Sequence, residues 1–299
     1  MNIIKNKYIF LTISGLLVLA SVISIGYFNL KPGIDFSGGI AWEIKFSEKP
    51  AAKGELLDFF NNTLQITDAA IIPQEGNNNF LIRFKTISET EHQQYLKKIE
   101  EKFGALEELQ FQNIGPSVGE ELRKKSLWAF GLVLLAISLY VAFAFRKVSR
   151  PVSSWKYGII TLVTLFHDAL IPAGMFAMLG KLLNAEVDTN FVVAILVVMG
   201  FSVHDTIVVF DRIRENLRNQ KDGQSSFENL VNQSVNETMS RSINTSLTLA
   251  LTLIALYIWG PDTLKLFNLV ILVGTVVGTY SSIFVASPLL TLWQKSKKL

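Results

Sequence analysis

The stretch MGFSVHDTIVVFDRIREN, residues 199–216, places an aspartate in an otherwise apolar segment that ends in a run of charged residues. A carboxylate at the centre of a bilayer costs roughly 2.5–3.5 kcal/mol even on insertion scales, so such residues are rare and commonly functional. Asp205 is therefore the leading candidate for a functional residue. The alternative is that Asp205 lies near the inner headgroups, reaches water there and has no special role.

The composition of the whole chain agrees with a membrane protein. Of its 299 residues, 49% are hydrophobic and 18% are charged, and the mean hydropathy is +0.35, which is too apolar for an ordinary soluble domain. The absence of cysteine excludes disulfides, thiolate metal sites and cysteine nucleophiles. The three histidines do not have zinc-ligand spacing, and we expect no metal or cofactor.

Six segments are long and apolar enough to cross about 30 Å of hydrocarbon. They are residues 8–28, 127–145, 158–180, 190–210, 243–259 and 266–290. The first follows a basic start at Lys5 and Lys7, but its apolar run is longer than a signal-peptide core and no small-residue cleavage site stands out. We therefore interpret it as an uncleaved signal anchor.

The distribution of Lys and Arg predicts the orientation of these spans. Basic residues concentrate at both termini and in the loops after the second and fourth spans, whereas the two short loops on the other side hold only Lys181 and Lys265. The positive-inside rule then places both termini in the cytoplasm. The predicted organisation is residues 1–28 as N-terminus and first span, 29–126 as an extracytoplasmic domain, 127–290 as the remaining spans with a cytoplasmic loop at 211–242, and 291–299 as a cytoplasmic tail.

The outward segment has the pattern of a small α+β domain. Alternating apolar residues predict strands at 40–46, 66–74, 77–85 and 105–114, and amphipathic patterns predict helices at 51–63 and from Ser88 to Phe103. Glu91 stands three residues after Ser88, which indicates a capping box. The order β-α-β-β-α-β is that of a ferredoxin-like domain. The predicted fold class is thus six transmembrane helices with a ferredoxin-like domain between the first and second.

Glycine clusters flank this domain on both sides. The first, GIDFSGG at 33–39, resembles a phosphate-binding loop, but it lacks the Lys-Ser/Thr of a P-loop and no clear helix follows. The second is GPSVGEEL at 115–122. We favour tight turns over phosphate binding.

Further polar residues occur within the spans. Asp168 follows His167 near the middle of the third span, and Pro172 and Gly174 should loosen that helix one turn later. Asp205 should lie about 9 Å from the cytoplasmic end of the fourth span. Because a short loop joins these two spans, the two carboxylates are predicted to face one interior.

The start of the fifth span carries a second polar group. Arg241 precedes a strip formed by Asn244, Thr245, Ser246, Thr248 and Thr252. The strip could bond across helices, although close helix packing explains it as well. Arg241 could partner Asp205, or it could reach the headgroups by snorkelling. The charged loop 211–241 alternates at helical spacing, which suggests short helices on the inner membrane surface rather than a phosphate- or nucleic-acid-binding patch.

Five strings together resemble one known family. They are GIDFSGG (33–39), VGEEL (118–122), the His167-Asp168 pair, SVHDTIVVFDRIREN (202–216) and SRSINTSLT (240–248). The chain resembles, over essentially its whole length, the SecF family of bacterial protein-export membrane proteins, within the RND superfamily. Ser37 stands where threonine is usual in that family.

The resemblance implies a transport component rather than an enzyme, multi-pass in the bacterial inner membrane. Members pair with SecD, assist the SecYEG translocon by using the proton-motive force, and contact the translocating polypeptide and membrane lipid. Carried over to this chain, Asp205 would carry the proton, with Arg241 as a functional partner and Asp168 as a weaker candidate. The family motifs supply the remaining site residues, which are Gly33, Asp35, Phe36, Gly38, Gly39, Asp211, Arg212, Arg214, Glu215 and Asn216.

Two other functions are compatible with parts of the sequence. Two aspartates on adjacent spans could form the carboxylate dyad of an intramembrane aspartyl protease, although no Gly-x-Gly-Asp motif occurs. A passive scaffold that binds SecD and stabilises the translocon without moving protons would share every motif. The proton-driven transport component and the passive scaffold differ in whether Asp205 must change its protonation state.

Overall fold

The computed structural model describes residues 2–47, 52–74, 78–146, 152–219 and 226–294. The basic residues Lys147, Arg150, Lys221, Lys295, Lys297 and Lys298, the middle of the 211–242 loop and most of the 291–299 tail lie outside these ranges. The chain divides into two compact units, Met1–Lys31 with Leu127–Leu299 and Pro32–Ser126.

Six helices in the described ranges are long and apolar enough to cross a membrane, which confirms the predicted number of spans. The helices are α1 (Lys7–Phe28), α5 (Pro116–Ala144), α6 (Ser154–Leu182), α7 (Thr189–Asn219), α8 (Phe227–Trp259) and the combined stretch Lys265–Trp293. The shorter helices α2 (Ile34–Ser37), α3 (Lys53–Asn62) and α4 (Glu89–Phe103) belong to the other unit. α6 continues through Pro172.

The last span consists of three pieces. Helix α9 (Lys265–Ser281) leads into a π-helical turn at Ser282–Ala286, and α10 (Ser287–Trp293) follows. π-Helical turns are rare and are often found at functional sites. This one begins directly after Ser281, the last residue of α9.

The third and sixth spans form the centre of the membrane unit. In their most apolar windows, 56% and 61% of the residues are buried, against 11% in each of the first two spans. α1 and α5 instead expose large apolar side chains such as Leu16, Leu19, Leu132 and Leu135. Such surfaces suit lipid or a membrane partner rather than water.

The interpretation of residues 211–241 as short surface helices is wrong. α7 continues through the charged residues to Asn219, and α8 begins at Phe227, well before the predicted fifth span. The apolar face of these extensions is buried in one cluster with the N-terminus, formed by Ile3, Ile4, Phe210, Ile213, Leu230, Val231 and Val235. The helical spacing was therefore correct, but its apolar face packs against protein.

The second unit has its elements in the order β-α-β-β-α-β after a short helix α2 (Ile34–Ser37). They are β1 (Gly39–Phe46), α3 (Lys53–Asn62), β2 (Ala70–Pro73), β3 (Asn79–Phe84), α4 (Glu89–Phe103) and β4 (Leu106–Ile114). The strands form one antiparallel sheet in the order β2-β3-β1-β4.

Strand alternation builds the core of this unit. Every second residue of β1, from Ile40 through Trp42 and Ile44 to Phe46, is buried, as expected for a strand with one covered face. These side chains share a cluster with residues of β3 and both longer helices, including Phe80, Ile82, Phe84, Leu56, Phe60 and Ile99.

The start of α4 was predicted correctly from local sequence, whereas the strand predicted at 66–74 was correct only in part. Ser88 and Glu91 form the predicted capping box, and the hydrogen bonds from Ser88 lower the pKa of Glu91. The strand predicted at 66–74 begins only at Ala70. The backbone of Gln65 has φ of 59°, and the Ile66 N–H donates to the carbonyl of Phe60, so this segment first closes the end of α3.

The two glycine clusters meet within this unit. Gly38 has φ of +71°, and a Cβ there would lie 2.8 Å from Cα of Pro116. A Cβ on Gly119 would lie 2.9 Å from the Gly38 nitrogen and 3.2 Å from the Phe36 carbonyl carbon. The clusters therefore allow close backbone approach and a left-handed turn.

Gly38→Ala should destabilise this unit by about 2 kcal/mol or more, because the new Cβ meets backbone and the positive φ is strained for alanine. Hydrogen exchange of the β1 and β3 amides in the full chain measures the effect. Gly54→Ala is the matched control, since no atom lies within 4 Å of a Cβ there. Equal protection of the β1 and β3 amides in the Gly38→Ala and Gly54→Ala variants would contradict the packing role.

Candidate functional site in the membrane helices

Asp205 lies on α7 with 2% of its surface exposed. Its Oδ2 accepts a hydrogen bond from Oγ1 of Thr279 on α9 at 3.2 Å. The Thr279 hydroxyl is also hydrogen bonded to the hydroxyl of Ser246 on α8. A single carboxylate is thus connected through hydroxyl groups to two other spans.

Asp168 lies on α6 and is completely buried. Its carboxylate accepts hydrogen bonds from Nδ1 of His167 and Oγ of Ser281, both at 2.7 Å, and from the hydroxyl of Ser202. Ser202 belongs to α7 and Ser281 to α9. Three donors on one carboxylate satisfy its acceptor capacity well, and they join three spans at one point.

The spacing along α7 and α9 relates the two carboxylates. Ser202 and Asp205 are three residues apart on α7 and therefore share a face. Thr279 and Ser281 stand two residues apart at the end of α9, where one contacts Asp205 and the other Asp168. Asp205 thus contacts α9, and Asp168 contacts both α7 and α9; both carboxylates are buried inside the helix bundle, as predicted, but they bind different hydroxyls.

Two glycines allow α9 to approach α7 closely. Gly274 and Gly278 are four residues apart, as in the small-residue motif of membrane helix pairs. A Cβ on Gly278 would lie 2.9 Å from Cβ of Ser202, and one on Gly274 would overlap the side chain of Val198. This approach brings the hydroxyls of both helices to the same carboxylate.

The polar strip of the fifth span is mostly directed away from the site. Thr245, Thr248 and Thr252 are exposed, and their hydroxyls donate to carbonyls of their own helix. Only Ser246 of the strip bonds to another span. Arg241 is exposed on α8 and forms no ion pair with Asp205 in the described part of the chain.

The charged motif after the fourth span lies outside this site. Arg212 binds Glu237 and Glu215 at 2.6 Å each, and Asn216 donates to Ser234 and Glu237 at 2.9 Å. Asp211 pairs with Arg214 one turn away at 3.0 Å. These contacts link the extensions of α7 and α8, and being partly exposed they contribute modest stability. The motif residues 33–39 belong to the other unit.

Sequence reasoning missed the partners supplied by the sixth span. Thr279 and Ser281 are separated from their carboxylates by 74 and 113 positions, and no local pattern joins such residues. One available signal was the polar run Thr279-Tyr280-Ser281-Ser282 in an apolar segment. Another was the spacing of Gly274 and Gly278.

The fold and the site define a multi-pass membrane protein with two buried carboxylates, each hydrogen bonded to hydroxyl groups of other helices. Residues 94–296 match the family model described as the C-terminal part of the protein export membrane protein SecD/SecF. The chain therefore belongs to the SecD/SecF family, and its curated relatives bear the name protein translocase subunit SecF.

The sequence relatives cover nearly the whole chain. The SecF subunit of Thermobaculum terrenum is 42% identical over 98% of this chain and 94% of its own length. That of Anaerolinea thermophila is 36% identical over 99% of this chain and 95% of its own length. These relatives are named as subunits of a translocase, which supports a general role in protein export.

A solved structure supports the fold. The translocon-associated membrane protein SecDF of Thermus thermophilus superposes with a TM-score of 0.82 at 32% identity. A structure of SecDF in a super-membrane-facing form gives a TM-score of 0.67. In both cases the match covers 98% of this chain but 38% of the SecDF chain, so this chain corresponds to one part of that longer protein.

Proposed function

We propose that this chain is the SecF-type subunit of a SecD–SecF complex that uses the proton-motive force to assist protein export, with Asp205 as the proton carrier. The observation that carries the proposal is the Asp205 carboxylate, buried among the spans and bonded through Thr279 and Ser246 to two further helices. A carboxylate placed there is costly, and proton transport is a function that requires it.

The hydroxyl partners can follow a change of charge at Asp205. An ionised carboxylate only accepts hydrogen bonds, whereas a protonated one can also donate. Thr279 has an alternative acceptor in the Thr275 carbonyl at 2.9 Å, and Ser246 has one in the Ser242 carbonyl at 2.8 Å. Both hydroxyls can therefore turn towards their own helices when Asp205 takes a proton, without movement of heavy atoms.

Asp168 and Arg241 enter this scheme in different ways. Asp168 shares the interface with Asp205 and is a second candidate for proton transport. Arg241 would approach Asp205 only after a shift or rotation of α8, because its side chain is exposed in this conformation. Such a shift would bring a cation to the carboxylate and favour release of the proton.

We assign the remaining parts of the chain by the same proposal. The element order and the strand order β2-β3-β1-β4 support a ferredoxin-like domain, and residues 29–126 would form it on the extracytoplasmic side of the bacterial inner membrane. Residues 1–28 and 127–290 would hold the spans, with 211–242, 291–299 and both termini in the cytoplasm. SecD, SecYEG, the translocating polypeptide and lipid would be the partners.

The test of this function is translocation of a secretory protein into inverted membrane vesicles that contain SecYEG and SecD. Vesicles with this chain should show faster completion of translocation when a proton gradient is present, and an uncoupler should remove that gain. Vesicles without the chain should not respond to the gradient. A gain that is equal with and without the gradient would favour the passive scaffold instead.

The aspartyl protease receives no support from the geometry. A dyad requires two carboxylates that share a proton, whereas Asp168 and Asp205 bind separate hydroxyls in the described structure.

Thr279→Val should reduce the gradient-dependent part of translocation about 10- to 100-fold. The variant retains the shape but removes a hydrogen bond to a charged group, which is worth about 1.5–3 kcal/mol. Thr248→Val is the matched control, because the Thr248 hydroxyl is exposed and donates to the Thr245 carbonyl at 2.8 Å. Equal rates for the two variants would remove Thr279 from the mechanism.

A further inference from the structure

His167 is buried beside Asp168, and the role proposed for Asp205 does not require this contact. The side chain is 6% exposed, and its Nδ1 lies 2.7 Å from Oδ1 of Asp168. Its Nε2 is buried and has no hydrogen-bond partner within the described residues. A carboxylate that binds Nδ1 fixes the ring and the tautomer, and it leaves the Nε2 lone pair free to accept a proton.

The other ionisable groups near this histidine are few. α6 packs against α1, α7, α9, the π-helical turn and α10, and the last two contain no ionisable residue. Between Tyr8 and Tyr27, α1 carries no ionisable residue, α7 contributes Asp205 and His204 within the span, and α9 contributes Tyr280. The Tyr280 hydroxyl donates to the Phe10 carbonyl at 3.1 Å. Asp168 is thus the charged group in direct contact with His167.

We propose that His167 and Asp168 form a second proton-binding pair, whose hydroxyl partners Ser202 and Ser281 lie on the same helices as Asp205 and Thr279. The proposal rests on the function proposed above. In the loading step, the Nε2 lone pair forms an N–H bond with a proton from hydronium, whose O–H bond breaks and leaves water. The imidazolium then faces the Asp168 carboxylate, and the pair has no net charge. Release reverses these changes at Nε2.

Both hydroxyl partners of Asp168 lie on helices that also carry residues of the Asp205 site. Ser202 precedes Asp205 by three residues on α7, and Ser281 follows Thr279 by two on α9. Ser281 also has the Gly278 carbonyl as an alternative acceptor at 3.0 Å, so its bond to Asp168 can be exchanged when the charge of the pair changes. A proton at one site can thereby alter the helix contacts of the other.

Nitrogen-15 NMR of histidine in the purified complex with SecD tests the pair directly. The chain has only three histidines, His92, His167 and His204, so the His167 signals can be assigned by replacing the other two. In spectra recorded between about pH 5 and 9, we expect both a neutral His167 tautomer with hydrogen on Nδ1 and the imidazolium, with the imidazolium favoured at the acidic end. Asp168→Asn should abolish the imidazolium signal where the wild type shows it. A His167 signal that stays neutral throughout this range in the wild type would overturn the proposal.

A second measurement distinguishes a role of the His167–Asp168 pair from the role of Asp205. In the vesicle assay, His167→Gln should lower gradient-dependent translocation about 100-fold or more and change its pH profile, whereas His204→Gln, at an exposed position, should match the wild type. If Asp205→Asn is inactive but His167→Gln has normal rates and pH profile, the second pair is refuted and the proposed function stands. If both variants respond normally to the gradient, the proposed function fails as well.

Discussion

Asp205→Asn should abolish the part of translocation that depends on the proton gradient and leave the gradient-independent part intact. The substitution keeps the size of the side chain and an oxygen that can accept from Thr279, so the helices should pack as before. It removes the only group at this position that can bind and release a proton. The rate in vesicles with a gradient should therefore fall to the rate without one.

The matched control for this variant is Asp211→Asn on the same helix. Asp211 is exposed and pairs with Arg214, and loss of an exposed ion pair costs about 0–1 kcal/mol. We expect this variant to retain its response to the gradient. If Asp205→Asn also retained a full response while assembling normally with SecD, the passive scaffold would be the better account.

Gly278→Ala should be a strongly damaging single-methyl change in the spans. The added Cβ would lie 2.9 Å from Cβ and 3.2 Å from Cα of Ser202, so α9 must move away from α7. Overpacking of this kind costs about 1–3 kcal/mol. The displacement would also weaken the bonds from Ser202 and Ser281 to a buried carboxylate, each worth about 1.5–3 kcal/mol.

Two measurements should show this effect together. The thermal unfolding midpoint of the purified chain should fall, and gradient-dependent translocation should fall by at least about tenfold, since 1.4 kcal/mol corresponds to a factor of ten. Gly200→Ala on α7 is the control, because no atom lies within 4 Å of a Cβ there. Similar behaviour of the two alanine variants would show that the close approach of α9 and α7 is unimportant.

The sequence was sufficient for the membrane spans because their signal is local and strong. Apolar runs of about twenty residues identify spans regardless of their neighbours, and all six were found. Their ends were less predictable. Helix α7 crosses the charges from Asp211 to Asn216 without interruption, because those side chains reach solvent and α8 while Ile213 is buried.

Of the candidate site, the sequence predicted only the residues that are energetically costly to place in a membrane. Asp168 and Asp205 could be singled out because an intramembrane carboxylate is rare. Their partners could not, because serine and threonine are common in membrane helices and usually bond to their own backbone, as Thr245 and Thr252 do. Which hydroxyls cross to another helix depends on helix rotation and distance, which here follow from the glycines of α9.

The central claim is that Asp205 gains and loses a proton during export, and infrared difference spectroscopy of the complex with SecD measures this most directly. A downward pH step that protonates Asp205 should produce a carboxyl C=O band in the infrared difference spectrum. That band should shift in deuterium oxide and be missing from the Asp205→Asn difference spectrum, but remain in that of Asp211→Asn. A wild-type difference spectrum identical to that of Asp205→Asn would contradict the account.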